Sequence, residues 1–272
     1  MSSNAGIQSL FAKAILDVHF LDTVAAKKDI WLPAQNEWLS VPPDSLQSLR
    51  LFSAFIAKVQ HNYLWNDFPL TLTSIRKSGI ELDIFGAYLP IHQQNRKIKP
   101  ALSVEEKKNR FVNFFKAYTQ NRKEPAYVKA HAIITHEEIY RQAKKKNITT
   151  DGPVTPNSEK RPGRNSIPVV NGRVWLASLS INPSSIGNPL VKDQEVKMYI
   201  RKKRYCYWQE EQQDELRVFE VSKNTALVIE AIDGKKKISQ LNALKGFSKK
   251  ETAIGQEAII VSLASAGIVS CI

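Results

Sequence analysis

A change in the spacing of apolar residues near the middle of the chain most constrains its fold. Up to residue 146, apolar side chains recur at steps of three and four residues, the period of amphipathic helices. After the stretch 147–166, which is rich in Pro and Gly and nearly free of apolar side chains, they alternate as in half-buried strands. We therefore predict a helical domain over residues 1–146, a linker over 147–166 and a module of strands and helices over 167–272.

Five helices are predicted in the first domain, with a proline-containing loop between the first and the second. The third helix is expected to end at Pro90, because proline interrupts the hydrogen-bond ladder. Ser103 and Glu106 form a capping box that opens the fourth, and the fifth runs from Pro125 to the lysines at 144–146. The second helix is expected to bury one stripe of side chains: Leu46, Leu49, Phe52, Phe55, Ile56 and Val59.

Three strands and then three short helices are predicted in the second half. The strands cover residues 169–181, 196–208 and 216–221, and Asn171-Gly172 is a candidate hairpin turn. Asn224 is expected to cap the first of the helices. This order predicts an α+β fold, with a helical N-terminal domain followed by a winged-helix-like module of three strands and three helices.

The charge of the chain indicates an acidic partner. It carries 39 Lys and Arg against 26 Asp and Glu, a net charge of +13. Such an excess is typical of proteins that meet nucleic acid, an anionic membrane or an acidic peptide, although a solubilising surface is the alternative. Because the excess is divided between both halves of the chain, any basic binding surface has to be assembled by folding.

One basic run lies within the second predicted strand, flanked by aromatic residues. Charge and stacking together are typical of single-stranded nucleic-acid binding. On an alternating strand, however, Lys202 and Arg204 share one face while Tyr205 and Tyr207 share the other, the ordinary pattern of a half-buried strand. We favour the second interpretation, in which the basic face still attracts an acidic peptide. The electrostatic candidates are Arg201, Lys202, Lys203 and Arg204.

Several function classes find no support in the sequence. Two cysteines, Cys206 and Cys271, exclude a disulfide scaffold and a zinc site built from cysteines alone, and they suit a reducing cytoplasm. The five histidines lack the spacing of a zinc-protease motif, and no motif for nucleotide binding or serine hydrolysis occurs. We expect no signal peptide and no membrane-spanning segment. The prediction is a cytoplasmic, non-catalytic protein without a metal or cofactor of its own.

The C-terminal sequence from Val218 to Ile272 resembles the small winged-helix elements that bind the leader of ribosomally made precursor peptides. A helix with the core ALVIEAI ends in Asp-Gly, a short helix on Ile-x-x-Leu-x-x-Leu follows, and a longer helix ends in Leu-x-x-x-Gly-Ile-Val. The same outline also resembles DNA-binding winged helices. A DNA reader needs Arg, Asn or Gln on the outward face of its recognition helix, whereas this helix offers mainly Ser, Ala and Gly.

A peptide binder instead needs an exposed strand edge beside an apolar groove, so that the peptide adds a strand to the sheet. The third predicted strand is the candidate edge, and the last helix is the candidate wall of the groove. For the helical residues, burial in the core is the alternative interpretation. The peptide-binding candidates are Leu216, Val218, Phe219 and Val221 on the strand and Ile254, Ala258 and Val261 on the helix.

The N-terminal segment IQSLFAKAILD, which begins at Ile7, resembles the start of a bacterial domain family that accompanies multinuclear non-heme iron-dependent oxidases. Residues 51–64, 111–115 and 130–143 are similar to further segments of that family. Together the two resemblances imply a methanobactin-type partner protein, which binds the precursor leader and presents a cysteine-containing core to the oxidase. Iron would then belong to the partner oxidase. A winged-helix DNA-binding regulator is the alternative, and an enzyme with an unrecognised site is a third, weaker one.

Overall fold

The computed structural model describes residues 29–32, 37–40, 43–98, 102–145, 162–186, 196–210, 215–241 and 252–272, together with residues 12, 20, 23 and 26. The chain forms two compact units, one of residues 1–134 and 190–193 and the other of residues 135–189 and 194–272. Helices dominate the first unit, and a small antiparallel three-stranded sheet with helices dominates the second, so the predicted α+β class is confirmed. The first predicted helix, near residues 7–18, and most of the predicted linker over 147–166 lie outside the described residues.

The first unit begins, in its described part, with a strand pair and continues with helices. Strands β1 and β2 pair antiparallel, with Trp31 opposite Trp38, where the sequence predicted only a loop. The helix α5 crosses from the first unit into the second after Ile134. The elements are β1 (Asp29–Leu32), β2 (Glu37–Ser40), α1 (Pro43–Gln60), a 3₁₀ turn (Asn62–Asn66), α2 (Pro69–Lys77), α3 (Glu81–Ile98), α4 (Val104–Gln120) and α5 (Pro125–Lys144).

The helix ends of the first unit agree with the sequence signals only in part. The side chains of Ser103 and Glu106 form the predicted capping box at the start of α4. The sequence missed α2, which starts with Pro69 in its first turn, where proline is tolerated. The prediction that the third helix ends at Pro90 is wrong, because α3 continues to Ile98. Proline removes only one helical hydrogen bond, to the carbonyl four residues back, and a helix packed on its neighbours absorbs that loss.

The buried face of α1 is also not the predicted stripe. Phe52 is 48% exposed and Phe55 45%, whereas Ser53, Ala54 and Ala57 are buried. A Cβ built on Gly86 of α3 would lie 3.4 Å from the Cβ of Ala54, so small residues let these two helices approach closely. Leu51 and Val59 of α1 are exposed as well, whereas Leu46, Leu49 and Ile56 of the predicted stripe are half-buried. The core of the unit is aromatic and includes Phe68, Phe85, Tyr88, Phe111 and Phe115.

The second unit is built on a sheet of strand order β4-β5-β6, in which all neighbours are antiparallel. A second, two-stranded sheet pairs β3 with β7. The sequence did not predict β7. The elements are β3 (Pro168–Val170), β4 (Arg173–Ile181), a 3₁₀ turn (Pro183–Ser185), β5 (Met198–Gln209), β6 (Leu216–Val221), α6 (Lys223–Ala231), α7 (Ile238–Leu241), α8 (Thr252–Ser265) and β7 (Val269–Cys271).

Asn171 and Gly172 form a junction between the two sheets instead of the expected hairpin turn, because β3 and β4 pair with different strands. Gly172 takes a positive φ of 82°. The side chain of Asn171 donates to the carbonyl of Gly267 at 2.9 Å and accepts from the hydroxyl of Ser270 at 2.8 Å. The backbone carbonyl of Asn171 accepts a hydrogen bond from the indole N–H of Trp208. One residue therefore ties the end of α8, the strand β7 and the strand β5 together.

Helices α6, α7 and α8 pack on one face of the sheet. Cys206 and Trp208 of β5 share a core with residues of α6, α7 and α8, among them Val228, Ile260 and Leu263. The cap of α6 is Ser222, whose hydroxyl accepts from the amide of Thr225 at 3.0 Å. The prediction that Asn224 caps this helix is wrong, because the helix begins at Lys223, two residues before the start at Thr225 that such a cap implies. Among the described residues, no helix is both long and apolar enough to cross a membrane.

Candidate functional site

Strand β6 forms one side of the three-stranded sheet, and within the described part of the chain it pairs only with β5. Val218 lies opposite Tyr207, and Phe219 lies opposite Cys206. The hydroxyl of Ser184 lies 3.5 Å from the carbonyl oxygen of Val218. Every second backbone N–H and C=O of an edge strand points away from its neighbour and is open to an added strand. The predicted strand edge is therefore present over the predicted residues.

The side chains of β6 fall into two classes of exposure. Leu216, Val218 and Val221 are half-buried, and Val221 packs against the core that α6, α7 and α8 share. Phe219 is 37% exposed. An exposed aromatic side chain on an edge strand offers apolar contact area to a chain that pairs with that edge.

The helical candidates lie on α8. Ala258 is exposed and Val261 is 40% exposed, so the alternative that they belong to the core is wrong for both. Ile254 lies in the first turns of α8, and its side chain lies outside the described residues. Ser262 and Ser265 are exposed on the same side of the helix, and their hydroxyls donate to the carbonyls of Ala258 and Val261. This face therefore presents small apolar groups and hydroxyls that are already bonded.

Among the described residues, the strand β6 and the helix α8, which the sequence predicted to border an apolar groove, make few direct contacts. Helix α8 packs mainly on α6, α7 and β7, while β6 packs mainly on β5 and the 3₁₀ turn at Pro183–Ser185. The two are linked through the shared core, to which α8 contributes Ile260 and Leu263. The strand edge is accordingly the better-formed part of the candidate site.

The exposed and the buried residues of β5 occupy different halves of the strand, and the basic run lies in the exposed half. From Met198 to Arg204 the residues are exposed or half-buried, and from Tyr205 to Gln209 they are all buried. Lys202 and Arg204 are exposed while Tyr205 and Tyr207 are buried, as the sequence predicted. Both faces of the second half are covered, since Cys206 faces the core of α6, α7 and α8 while Tyr207 meets His136 of α5.

Within the basic run, one cation is neutralised. The ammonium of Lys203 bonds to the carboxylate of Glu220 on β6 at 2.8 Å and lies 4.7 Å from the centre of the Tyr199 ring. The hydrogen bond to Glu220 raises the pKa of Lys203. Arg201, Lys202 and Arg204 form no ion pair with any residue that the structure describes. Positive charge therefore remains on the exposed half of β5, where Arg204 lies opposite Val221 of β6 and Arg201 and Lys202 lie beyond the residues that pair with β6.

Burial controls the protonation of both cysteines and of one histidine in the described part of the second unit. Burial raises the pKa of the Cys206 thiol to about 11, and it also raises the pKa of Cys271. Burial lowers the pKa of His136 to about 4, so this imidazole is neutral. In the described parts of the chain, no three His, Cys, Asp or Glu side chains come together as a metal site would require.

A groove that sequence reasoning missed lies between the sheet and α6. It has a volume of about 170 Å³. On the helix side its lining residues recur at steps of three, one and three, the spacing of one helix face. That spacing is visible in the sequence, but which face of α6 meets the sheet is decided only by packing. The lining residues are Leu176, Ala177, Ser178, Arg204, Tyr205, Lys223, Ala226, Leu227 and Glu230.

The sequence of the chain was compared with models of known protein families and with curated protein sequences. No model of a known protein family matches the chain, and no curated protein sequence matches it. The resemblances to leader-binding elements and to partners of iron-dependent oxidases therefore stay predictions. The function has to be argued from the geometry of the strand edge and the charges beside it.

Proposed function

We propose that this protein is a non-catalytic partner that binds the leader of a ribosomally made precursor peptide. In this proposal the second unit is a winged-helix-like recognition module, and the peptide adds a strand to the sheet at β6. The peptide's cysteine-containing core is then presented to an iron-dependent oxidase in the cytoplasm. The iron belongs to the oxidase and not to this chain.

The observation that carries the proposal is the edge of β6, which within the described residues pairs only with β5 and meets the hydroxyl of Ser184. It lies next to Arg204, which forms no ion pair with any described residue. Main-chain hydrogen bonds to such an edge give affinity for an extended peptide without demanding a particular sequence. Phe219 supplies apolar contact area at the edge. Arg201, Lys202 and Arg204 lie on the neighbouring strand and attract acidic side chains, which also speeds encounter with an acidic peptide.

Two further observations support a binding role over catalysis. The strand and helix order β4-β5-β6-α6-α7-α8 is the order that the leader-binding resemblance implies. Both cysteines are protonated thiols at neutral pH, since burial raises the pKa of each. Covalent chemistry on the peptide is accordingly assigned to the partner. The uncombined thiols suit a reducing cytoplasm.

The DNA-binding alternative finds less support in α8. From Thr252 to Ser265 the helix contains no Lys or Arg, Gln256 is fully buried, and Glu257 is acidic. A recognition helix needs basic or amide side chains that reach base edges. A regulator built on this helix would have to read DNA with Ala258, Val261 and small hydroxyl residues.

Peptide binding is tested by selection from a random dodecapeptide library displayed on phage, with the full-length protein as target. Selected peptides are synthesised with a fluorescein label, and Kd is measured by fluorescence anisotropy. We expect enrichment of extended, acidic peptides. Methylation of alternate backbone nitrogens in the peptide should weaken binding by at least about tenfold, because each lost main-chain hydrogen bond costs about 1 kcal/mol. An unaffected Kd would contradict strand addition.

The matching change in the protein is proline at Val218 or at Phe219. Consecutive N–H groups of an edge strand point alternately toward β5 and away from it, so only one of the two variants is expected to keep the fold. The variant with an unchanged circular dichroism spectrum should lose peptide binding, and Val218→Ile, which keeps the N–H, should not. If the protein instead binds duplex DNA with a steep salt dependence and no peptide is selected, the regulator is the correct reading.

A further inference from the structure

The groove between the sheet and α6 has a mixed lining. Leu176, Ala226 and Leu227 supply its apolar wall, and Ser178 is an exposed hydroxyl at the sheet side. A volume of about 170 Å³ is slightly larger than a cavity that accommodates benzene, about 150 Å³. The groove is therefore large enough for one side chain of a bound peptide.

The charges around the groove are unbalanced. Arg204 from β5 and Lys223 from the first turn of α6 both line it, against one carboxylate, Glu230. Neither cation forms an ion pair, with Glu230 or with any other residue in the described ranges. Lys223 and Glu230 are seven residues apart on the helix, about 10 Å along its axis, which places them at opposite ends of the lining face.

We propose that this groove is a second contact point for the peptide, which takes one Glu or Asp side chain. The carboxylate meets the guanidinium of Arg204 and the ammonium of Lys223, and the methylene carbons of the same side chain pack on Ala226 and Leu227. This inference rests on the proposed function. Of the four residues in the basic run, it assigns direct contact with the peptide only to Arg204, which lines the groove. Arg201, Lys202 and Lys203 then act only at long range.

The groove is tested with short peptides that cannot pair along the whole of β6. Acetyl-Leu-Glu-Leu-amide is titrated into the full-length protein, and the methyl signals of Ala226 and Leu227 are followed by NMR. The matched ligand is acetyl-Leu-Gln-Leu-amide, which has the same shape and no charge. We expect saturable shifts with the first peptide and at least about tenfold weaker binding of the second, since charged hydrogen bonds are stronger than neutral ones.

Variants distinguish binding in this groove from a general electrostatic attraction between the basic protein and an acidic peptide. Arg204→Gln and Lys223→Gln should each weaken the Glu peptide severalfold, and Ser178→Trp should block it. Lys235→Gln, which removes an exposed charge outside the groove, is the control and should bind as the wild type does. Equal weakening by the control, equal affinity for the Gln peptide, or tighter binding of inorganic phosphate than of the Glu peptide would overturn the inference.

Failure of the groove and failure of strand addition give different results. The folded proline variant of β6 should still bind acetyl-Leu-Glu-Leu-amide, although it loses the display-selected peptides. If selected peptides bind the wild type and Arg204→Gln equally, the groove proposal is wrong and strand addition stands. If the tripeptide binds but none of the longer peptides binds, the strand proposal is wrong and the groove proposal stands.

Discussion

The imidazole Nδ1 of His136 lies 2.8 Å from the hydroxyl oxygen of Tyr207, and both side chains are fully buried. The contact joins the second half of α5 to the middle strand of the sheet, within one unit. Tyr140 lies against the same imidazole, with ring centres 4.8 Å apart. A neutral imidazole fits this site because charging it would leave a cation away from water.

This burial makes stability sensitive to acid. Burial lowers the pKa of His136 from 6.5 to about 4. At a pH between these two pKa values the imidazole is protonated in the unfolded chain and neutral in the folded protein. The free energy of unfolding therefore falls as the pH falls, by up to about 3 kcal/mol. His136→Gln should reduce this pH dependence by about 1.4 kcal/mol per pH unit. Urea unfolding at pH 7 and pH 5 measures it.

The comparison of variant and wild type separates the effect of His136 from that of His61, which is also buried. Burial also lowers the pKa of His61, in the first unit, and His61 is present in both proteins. A pH dependence that is the same in His136→Gln and the wild type would show that the folded protein admits the charged imidazole.

Replacement of Gly172 by alanine should destabilise the second unit strongly. A Cβ there would overlap the carbonyl oxygen of Gln209 and lie 3.0 Å from the Cα of Glu210, and φ is +82°. Both groups belong to backbone that cannot move aside easily. Strain at a positive φ costs about 1–3 kcal/mol, and the overlap adds to it, so we expect a loss of at least about 3 kcal/mol in urea unfolding.

Gly234→Ala is the matched control for this change. Its φ is +68°, and the nearest atom to an added Cβ, in the side chain of Val169, would lie at an ordinary 3.9 Å. This variant should lose only the cost of backbone strain, about 1 kcal/mol. Equal losses in the two variants would mean that the approach of Gln209 to Gly172 relaxes at no cost.

The sequence and the structure disagree on which residue caps the start of α6, and mutation of each candidate tests the difference. The hydroxyl of Ser222 caps the helix by accepting from the amide of Thr225, whereas the sequence favoured Asn224. Ser222→Ala should therefore lower the free energy of unfolding by about 1 kcal/mol. Asn224→Ala should change it by no more than about 0.5 kcal/mol. The reverse order of the two losses, measured by urea unfolding, would restore Asn224 as the cap.

Sequence reasoning succeeded where a local signal determines the structure. The capping box of Ser103 and Glu106 and the strand from Leu216 to Val221 were predicted at their observed positions. Both depend on neighbours within a few residues. The class of the fold follows in the same way from the change of period along the chain.

It failed where packing between distant segments decides. The stripe on α1 was misjudged because Ala54 meets Gly86, and small residues on both helices allow a closer approach than large ones. Strand β7 exists because Val269 pairs with Val170, about a hundred residues earlier. The groove beside α6 depends on which side of the helix meets the sheet, so Lys223 was not recognised as a candidate.

A cluster in the first unit supplies the last prediction. The hydroxyls of Tyr118 and Tyr127 both donate to one carboxylate oxygen of Asp83, and the guanidinium of Arg122 lies over both rings, 4.1 Å and 4.5 Å from their centres. Burial, together with the hydrogen bond to Asp83, raises the pKa of both tyrosines. The carboxylate thus connects α3 with α4 and α5.

Asp83→Ala removes the acceptor of both hydroxyls and should cost about 1–3 kcal/mol of the free energy of unfolding, because Tyr127 is left partly buried without its partner. Asp83→Asn keeps an acceptor oxygen and should recover part of that loss. The same change removes a negative charge next to Tyr127, so the pKa of that phenol should move down toward its ordinary value near 10. Alkaline titration of tyrosinate absorbance measures this shift, and an unchanged titration curve in Asp83→Asn would contradict the role of the carboxylate.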